Sequence, residues 1–126
     1  MTSHKSPDDP QHSPSLRALQ TAVDDWITQW DEGYWPPLAN LARLTEEVGE
    51  LARLLNRAYG PKVAKDEPEA DTREAIRDEI GDILFVVITL ANDLDIDLGA
   101  TLIETLEKYE VRDADRWTPR DDTSEP

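Results

Sequence analysis

Nine consecutive residues, Ile83 to Ala91, read ILFVVITLA, with Thr89 the only polar side chain among them. The run is rich in β-branched residues, which also suit a buried strand. Yet Ile76, Ile80, Ile83, Leu84, Val87, Ile88 and Ala91 keep a 3.6-residue period, so the pattern predicts a helix from about Thr72 to Leu94. A helix that is apolar on every side must be covered on every side. The rest of a domain this small supplies too few helices to do so, and self-association is the simplest remedy. The expectation is at least a dimer, with this helix near the interface.

Three further helical patterns surround that segment, and no β-hairpin signal accompanies them. The first runs from Leu16 to about Asp31, with Ser15 as N-cap and Gly33 beyond its end. Leu16, Leu19, Val23, Trp26, Ile27 and Trp30 form its apolar stripe. The second opens at Pro36-Pro37, where proline suits a first turn, and stops at Gly60-Pro61. It carries Leu38, Leu41, Leu44, Val48, Leu51, Leu54, Leu55 and Ala58. Residues 61–71 are a charged loop. The fourth pattern starts at Asp97 as N-cap, carries Leu98, Leu102, Ile103, Leu106 and Tyr109, and ends near Arg112. The fold class is therefore all-α: a four-helix core over residues 16–117, assembling as a helical-bundle oligomer. Residues 1–15 and 118–126, poor in large apolar side chains, read as disordered tails.

Composition narrows the chemistry. Of 126 residues, 28 are Asp or Glu and 13 are Lys or Arg, a formal net charge of −15. Nucleic-acid polymers are held through phosphate neutralisation by Lys and Arg, so such partners are disfavoured, as are anionic membranes. Cysteine is absent, which excludes disulfides, zinc–thiolate sites and cysteine nucleophiles. The only histidines, His4 and His12, fall in the N-terminal tail. The first 15 residues hold no apolar signal segment, and no run approaches about 18 apolar residues. A soluble cytoplasmic protein is the expectation. No GxxxxGK[ST] loop occurs, so a Walker-type nucleotide site is excluded.

Two helices carry acids where apolar side chains belong. In Glu46-Glu47-Val48-Gly49-Glu50, Glu47 and Glu50 are i,i+3, and Glu46 and Glu50 are i,i+4, so all three share one side. Glu47 falls between Leu44, Leu51, Leu54 and Ala58. In the third helix Glu79 and Asp82 are again i,i+3, and Glu79 lies among Ala75, Ile76, Ile83 and Val86. Five acids are thus expected on core-facing sides. Buried carboxylates are costly unless paired or metal-bound. Pairing with Arg43, Arg53 or Arg77 is one explanation. Two acidic clusters on two core faces are harder to reconcile with it, because mutual repulsion would raise their pKa values. An oxygen-only ligand set, without His or Cys, points to a hard cation, Mg²⁺ or Mn²⁺, and five carboxylates suffice for a pair of them.

The pattern E-E-x-x-E followed by E-x-x-D on the next helix resembles the signature of the MazG-like all-α nucleoside triphosphate pyrophosphohydrolases. Here it stands as Glu46-Glu47-x-x-Glu50 and Glu79-x-x-Asp82. The surrounding text, GYWPPLANLARLTEEVGELARLLN, DEIGDILFVVITLANDLDIDL and EKYEVRDADRW, is similar as well, so the resemblance spans about residues 20–117. It looks closest to the short single-domain bacterial branch. The resemblance implies hydrolysis of (d)NTP to the monophosphate and pyrophosphate with Mg²⁺ or Mn²⁺. By position, Glu47, Glu50, Glu79 and Asp82 look like the metal ligands, and Glu46 like either the base for the attacking water or a further ligand. Lys108 and Arg112 resemble the phosphate-contacting cations, and Asn92 stands where such proteins often place a site residue, here expected to contact the base. The resemblance also implies a homo-oligomer, dimer or tetramer.

A triphosphate carries about four negative charges, and an acidic pocket repels it unless bound divalent ions reverse the local sign. Base recognition rests on aromatic side chains. Trp26 and Trp30, i,i+4 on an apolar face, read as core, as does Tyr109. Trp35, between Gly33 and Pro36, is the better stacking candidate, and Trp117 reads as packing for the C-terminus. Lys62 and Lys65 read as a solvated loop. Two other functions stand beside the hydrolase. A carboxylate-bridged di-iron bundle normally adds Glu-x-x-His pairs, for which the histidines are lacking. A non-catalytic dimerisation or regulatory module would keep the fold and bind nucleotide or metal only.

Overall fold

The computed structural model describes residues 13–61 and 70–120. Most of the expected tails 1–15 and 118–126, namely residues 1–12 and 121–126, and the loop lysines Lys62 and Lys65 lie outside the described residues. Four helices follow in order: α1 (Leu16–Thr28), α2 (Pro37–Tyr59), α3 (Ala70–Asp93) and α4 (Leu98–Asp113). Among the described residues there is no strand, so the ILFVVITLA run is helix despite its β-branched content. Among them, too, no helix is long and apolar enough to cross a membrane.

Local chemistry accounts for most boundaries. The Ser15 side chain accepts a hydrogen bond from the Ala18 N–H at 3.1 Å, which satisfies one of the unpaired donors at the start of α1. α1 ends at Thr28, three residues short of the expected Asp31, and the chain turns through Gly33 at φ +59°. Pro37 opens α2, and Gly60 closes it. A Cβ at Gly60 would stand 2.4 Å from the Asn56 carbonyl oxygen, so only glycine fits that stop. Asp97 does hold the N-cap position of α4, but its side chain makes no cap bond; it pairs with Arg17 at 3.6 Å.

α2 and α3 form an antiparallel hairpin, and α1 lies antiparallel along α3. Ile27, Leu54, Ala58, Val86, Ile88 and Ala91 make the buried core between them. At the far end of α3, Gln20 joins three elements. Its Nε2 donates to Asn92 Oδ1 (3.0 Å) and to the Ile96 carbonyl (2.9 Å), while its Oε1 accepts from the Leu98 N–H (3.0 Å). Asn92 Nδ2 donates back to the Gln20 carbonyl at 2.9 Å. These bonds fix where α4 begins. α4 packs on α1.

Three burial expectations are overturned. Trp26 and Trp30 are 55% and 51% exposed rather than core, and pair with each other at a centroid distance of 5.6 Å. Tyr109, expected in the core, is half exposed with the Arg112 guanidinium 4.6 Å above its ring. Trp117, expected to pack the C-terminus, is 66% exposed, with Arg116 over its face. The cause is common to all three. Periodicity marks an apolar face, and a single copy of this chain has too few elements to cover every such face. α3 itself shows this, since Ile80 is 52% and Leu84 47% exposed.

Candidate active site

The hairpin register brings acids on α2 opposite acids on α3. One carboxylate oxygen from each of Glu47, Glu79 and Asp82 lies within 4.8 Å of the other two. Glu79 Oε2 is buried and has no hydrogen-bond partner. The Glu79 carboxyl is pushed up to about 7, first by the adjacent Glu47 carboxylate at hydrogen-bonding reach, then by burial and by the charges of Glu47, Asp82 and Glu50. A cluster of like charges that must hold a proton, together with an orphaned carboxylate oxygen, is an arrangement that a divalent cation would stabilise. The donor set, oxygen only and anionic, fits a hard divalent ion such as Mg²⁺ or Mn²⁺.

Glu50 and Glu46 are placed differently. Glu50, one turn along α2, is bound by the Arg53 guanidinium, whose Nε donates to Oε2 at 3.2 Å. That pairing holds its carboxyl below the ordinary range. Of the three arginine pairings weighed from the sequence, Arg53–Glu50 forms; Arg77 instead meets Glu74 at 3.9 Å, and Arg43 stands over the Phe85 ring at 5.6 Å. Glu46 is exposed, against the expectation of a core-facing side, because it sits ~100° around α2 from Glu47.

Beside the acids opens a cavity of about 760 Å³. Asp82 and Gly81 form one edge, and Trp26, Trp30, Trp35 and Phe85 supply aromatic wall. No atom lies within 4 Å of where a Cβ on Gly81 would stand, so the helix presents bare backbone there. Asn40 is 3% exposed and Arg43 lies at the rim. Sequence reading singled out Trp35 but missed Phe85, Asn40 and Arg43, and assigned Trp26 and Trp30 to the core. The signal for Asn40 was a polar residue in line with Leu44 and Leu51 on the inner face of α2.

Asn92 does not join the cavity wall. It lies ten residues beyond Asp82 on α3, its amide engaged by Gln20, beside Tyr34. Tyr34 lines the cavity and donates to Asp24 Oδ1 at 2.6 Å. Burial, that bond and the nearby acids push the Tyr34 hydroxyl up to about 12, so it stays protonated and remains a donor. Lys108 and Arg112 lie on α4, and Arg112 pairs with Asp113 at 2.7 Å. The structure does not bring these two cations to the acids of their own chain.

The MazG nucleotide pyrophosphohydrolase domain matches residues 36–117, from the start of α2 past the end of α4. The chain belongs to that family and is a hydrolase of the nucleotide pyrophosphohydrolase type. YpjD of Bacillus subtilis (strain 168), described as an uncharacterized protein, is 44% identical over 108 residues, which is 86% of this chain and 95% of the relative. The crystal structure of the Bacillus-conserved MazG protein, a nucleotide pyrophosphohydrolase, is 38% identical with a TM-score of 0.66, covering 89% of this chain and 98% of that one. The crystal structure of the putative pyrophosphatase YPJD from Bacillus subtilis is 45% identical with a TM-score of 0.68, covering 77% and 96%.

Proposed function

We propose that this hydrolase is a divalent-metal-dependent enzyme that cleaves (d)NTP to (d)NMP and pyrophosphate by attack of water at the α-phosphate. The observation that carries the reading is the approach of Glu47, Glu79 and Asp82 within 4.8 Å, with an orphaned Glu79 oxygen among them. Glu47, Glu79 and Asp82 would hold Mg²⁺ or Mn²⁺, and Glu50 would join them by swinging from Arg53, a surface pair worth little by itself. Such an ion would supply Lewis acidity to activate the attacking water and positive charge to offset the leaving pyrophosphate. Glu46, exposed one step round the helix from Glu47, serves either as the base that takes the water proton or as a further ligand.

The aromatic cavity receives the base. Trp35 and Phe85 offer faces on which any base can stack, while the buried Asn40 amide supplies directional hydrogen bonding. Asn92 acts at one remove, by holding Tyr34 and the α1–α3 contact. Lys108 and Arg112 neutralise substrate phosphates. A nucleotide substrate places the reaction among the cytoplasmic nucleotide pools, as a house-cleaning step, in a homo-oligomeric enzyme. Incubating the purified chain with each NTP and dNTP plus Mg²⁺ tests the reading, with monophosphate and pyrophosphate as expected products. Absence of both with every nucleotide, or orthophosphate release instead, would falsify it.

A further inference from the structure

Arg43 is a cation among acids that takes none of them as a partner. Arg17, Arg53, Arg77, Arg112 and Arg116 each meet a carboxylate within 3.9 Å. Glu46 and Glu47 lie three and four residues on from Arg43, the spacing at which helical ion pairs form. Among the described residues the Arg43 side chain nevertheless makes no ion pair and no hydrogen bond. Its guanidinium stands over the Phe85 ring at 5.6 Å, half-buried, in the wall of the aromatic cavity. A guanidinium held over a ring still has its N–H donors to offer.

Helix spacing places those donors between two other features. On α2, Asn40, Arg43 and Glu47 are separated by three and four residues and share a face. On α3, Asp82, Phe85 and Thr89 are separated in the same way. Because the two helices run antiparallel, these residues form levels. Glu47 meets Asp82 at the first, Arg43 meets Phe85 at the second, and the buried Asn40 and Thr89 stand at the third. Successive levels are about 5–6 Å apart along the helices. The cavity is bounded by the second and third levels and reaches the first through Asp82, without Glu47 or Glu79. It therefore lies to one side of the acids, and Arg43 stands where the two meet.

A nucleoside triphosphate with its α-phosphate at the acids and its base in the cavity passes its sugar across the second level. Its β- and γ-phosphates, bonded to the other side of the α-phosphorus, leave the acids in the direction away from the cavity. A guanidinium at the second level faces the non-bridging oxygens of the α-phosphate, and its planar fork of donors matches two of them. Given the hydrolase reading above, on which this rests, we propose that Arg43 holds the α-phosphate of the nucleotide from the cavity side. The contact belongs to the part of the substrate that remains as monophosphate, and the leaving pyrophosphate does not make it.

Ligands that carry different parts of the substrate test this. Arg43→Met keeps a stem over Phe85 without the charge, and Arg43→Lys keeps the charge without the fork. In the presence of Mg²⁺, calorimetry is run with the ribo- and deoxyribonucleoside monophosphates of the common bases and with inorganic pyrophosphate. The nucleosides, which bind more weakly, are followed by saturation-transfer NMR. For the monophosphates that wild type binds, Arg43→Met should weaken binding about 10- to 100-fold, the worth of a hydrogen bond to a charged group, and Arg43→Lys should restore part of it. Nucleoside and pyrophosphate affinities should be unchanged. With a triphosphate that wild type cleaves, Arg43→Met should raise KM and the inhibition constant of the product monophosphate by the same factor. Equal weakening of nucleoside and monophosphate would make Arg43 a part of the cavity wall only, and weakened pyrophosphate binding would place it at the leaving group. Either result overturns the proposal, as does an Arg43→Met chain that binds monophosphates like wild type, or a wild type that binds none. A wild type that releases no pyrophosphate from any triphosphate overturns the hydrolase reading instead, while monophosphate binding still reports what Arg43 holds.

Discussion

Around Asn92, at the C-terminal end of α3, the polar atoms that enter the interior find partners: Gln20 alone bridges Asn92, the Ile96 carbonyl and the Leu98 N–H. Two turns and more toward the N-terminus, around Glu79 and Asp82, the reverse holds. Three carboxylates crowd together, one oxygen is orphaned, and a proton is retained up to about pH 7. The same helix thus has one end complete in itself and one end that closes only with something added. Both ends contribute to a fold, but only the second is worth its instability for chemistry. The contrast separates residues whose loss should unfold the protein from residues whose loss should silence it.

The largest effect is expected at the incomplete end. Glu47→Gln removes a carboxylate from the cluster but leaves its shape, and metal-assisted steps are worth several kcal/mol, so kcat should fall about 10²–10³-fold. The same loss should follow EDTA and be reversed by Mg²⁺ or Mn²⁺. Melting of the metal-free variant should be no lower than wild type, because a repulsive charge has gone. A variant that keeps its rate, or one that loses its fold, would erase the contrast between the two ends.

A smaller effect is expected next to the acids, in the aromatic cavity. Stacking of a base on an aromatic ring contributes about 1–3 kcal/mol, so Trp35→Ala should raise KM by roughly 5- to 100-fold with a lesser change in kcat. Steady-state kinetics on the preferred nucleotide would show this. If kcat falls instead, Trp35 positions the phosphates rather than the base.

The self-contained end makes the opposite prediction. Gln20→Ala leaves the part-buried Asn92 Oδ1 and Leu98 N–H and the exposed Ile96 carbonyl without their partner; losing a typical hydrogen bond costs about 0.5–1.5 kcal/mol. Chemical denaturation should register that loss, while kcat at a temperature where the variant is folded stays near wild type. A large kcat effect with unchanged stability would mean that this end is part of the catalytic apparatus.

How far the sequence foretold this contrast differs by element. Ser15, Pro37 and Gly60 act through their nearest neighbours, so the start of α1 and both limits of α2 were readable. Likewise the i,i+3 spacing of Glu47/Glu50 and Glu79/Asp82 already put each pair on one face. Which carboxylates meet across the hairpin depends on register between α2 and α3, and that is a tertiary quantity. The structure accordingly gathers Glu47, Glu79 and Asp82, while Glu50 turns to Arg53. The burial of Trp26, Trp30 and Tyr109 was misjudged because a stripe of apolar residues does not say what covers it. Phe85 and Asn40 went unnoticed for a related reason: the cavity they line exists only once three helices are assembled.

The smallest predicted effect bears most directly on why the acidic end is incomplete. In the folded, metal-free chain Glu79 keeps its proton to about pH 7, whereas its ordinary value is 4.5. Between those two values the folded state binds the extra proton. The stability associated with this group is therefore fully present below about pH 4.5 and is lost as pH rises through 7. Glu79→Gln carries no proton to lose. In EDTA it should melt above wild type at pH 8, and the gap should close as the pH falls toward 5. The cluster is partly open to water, so the gap should be modest. Added Mg²⁺ should then raise the wild-type Tm at pH 8 more than that of the variant, since only the intact set of carboxylates binds the ion tightly. A gap that stays constant with pH would mean that the Glu79 side chain is felt for its shape and not for its charge.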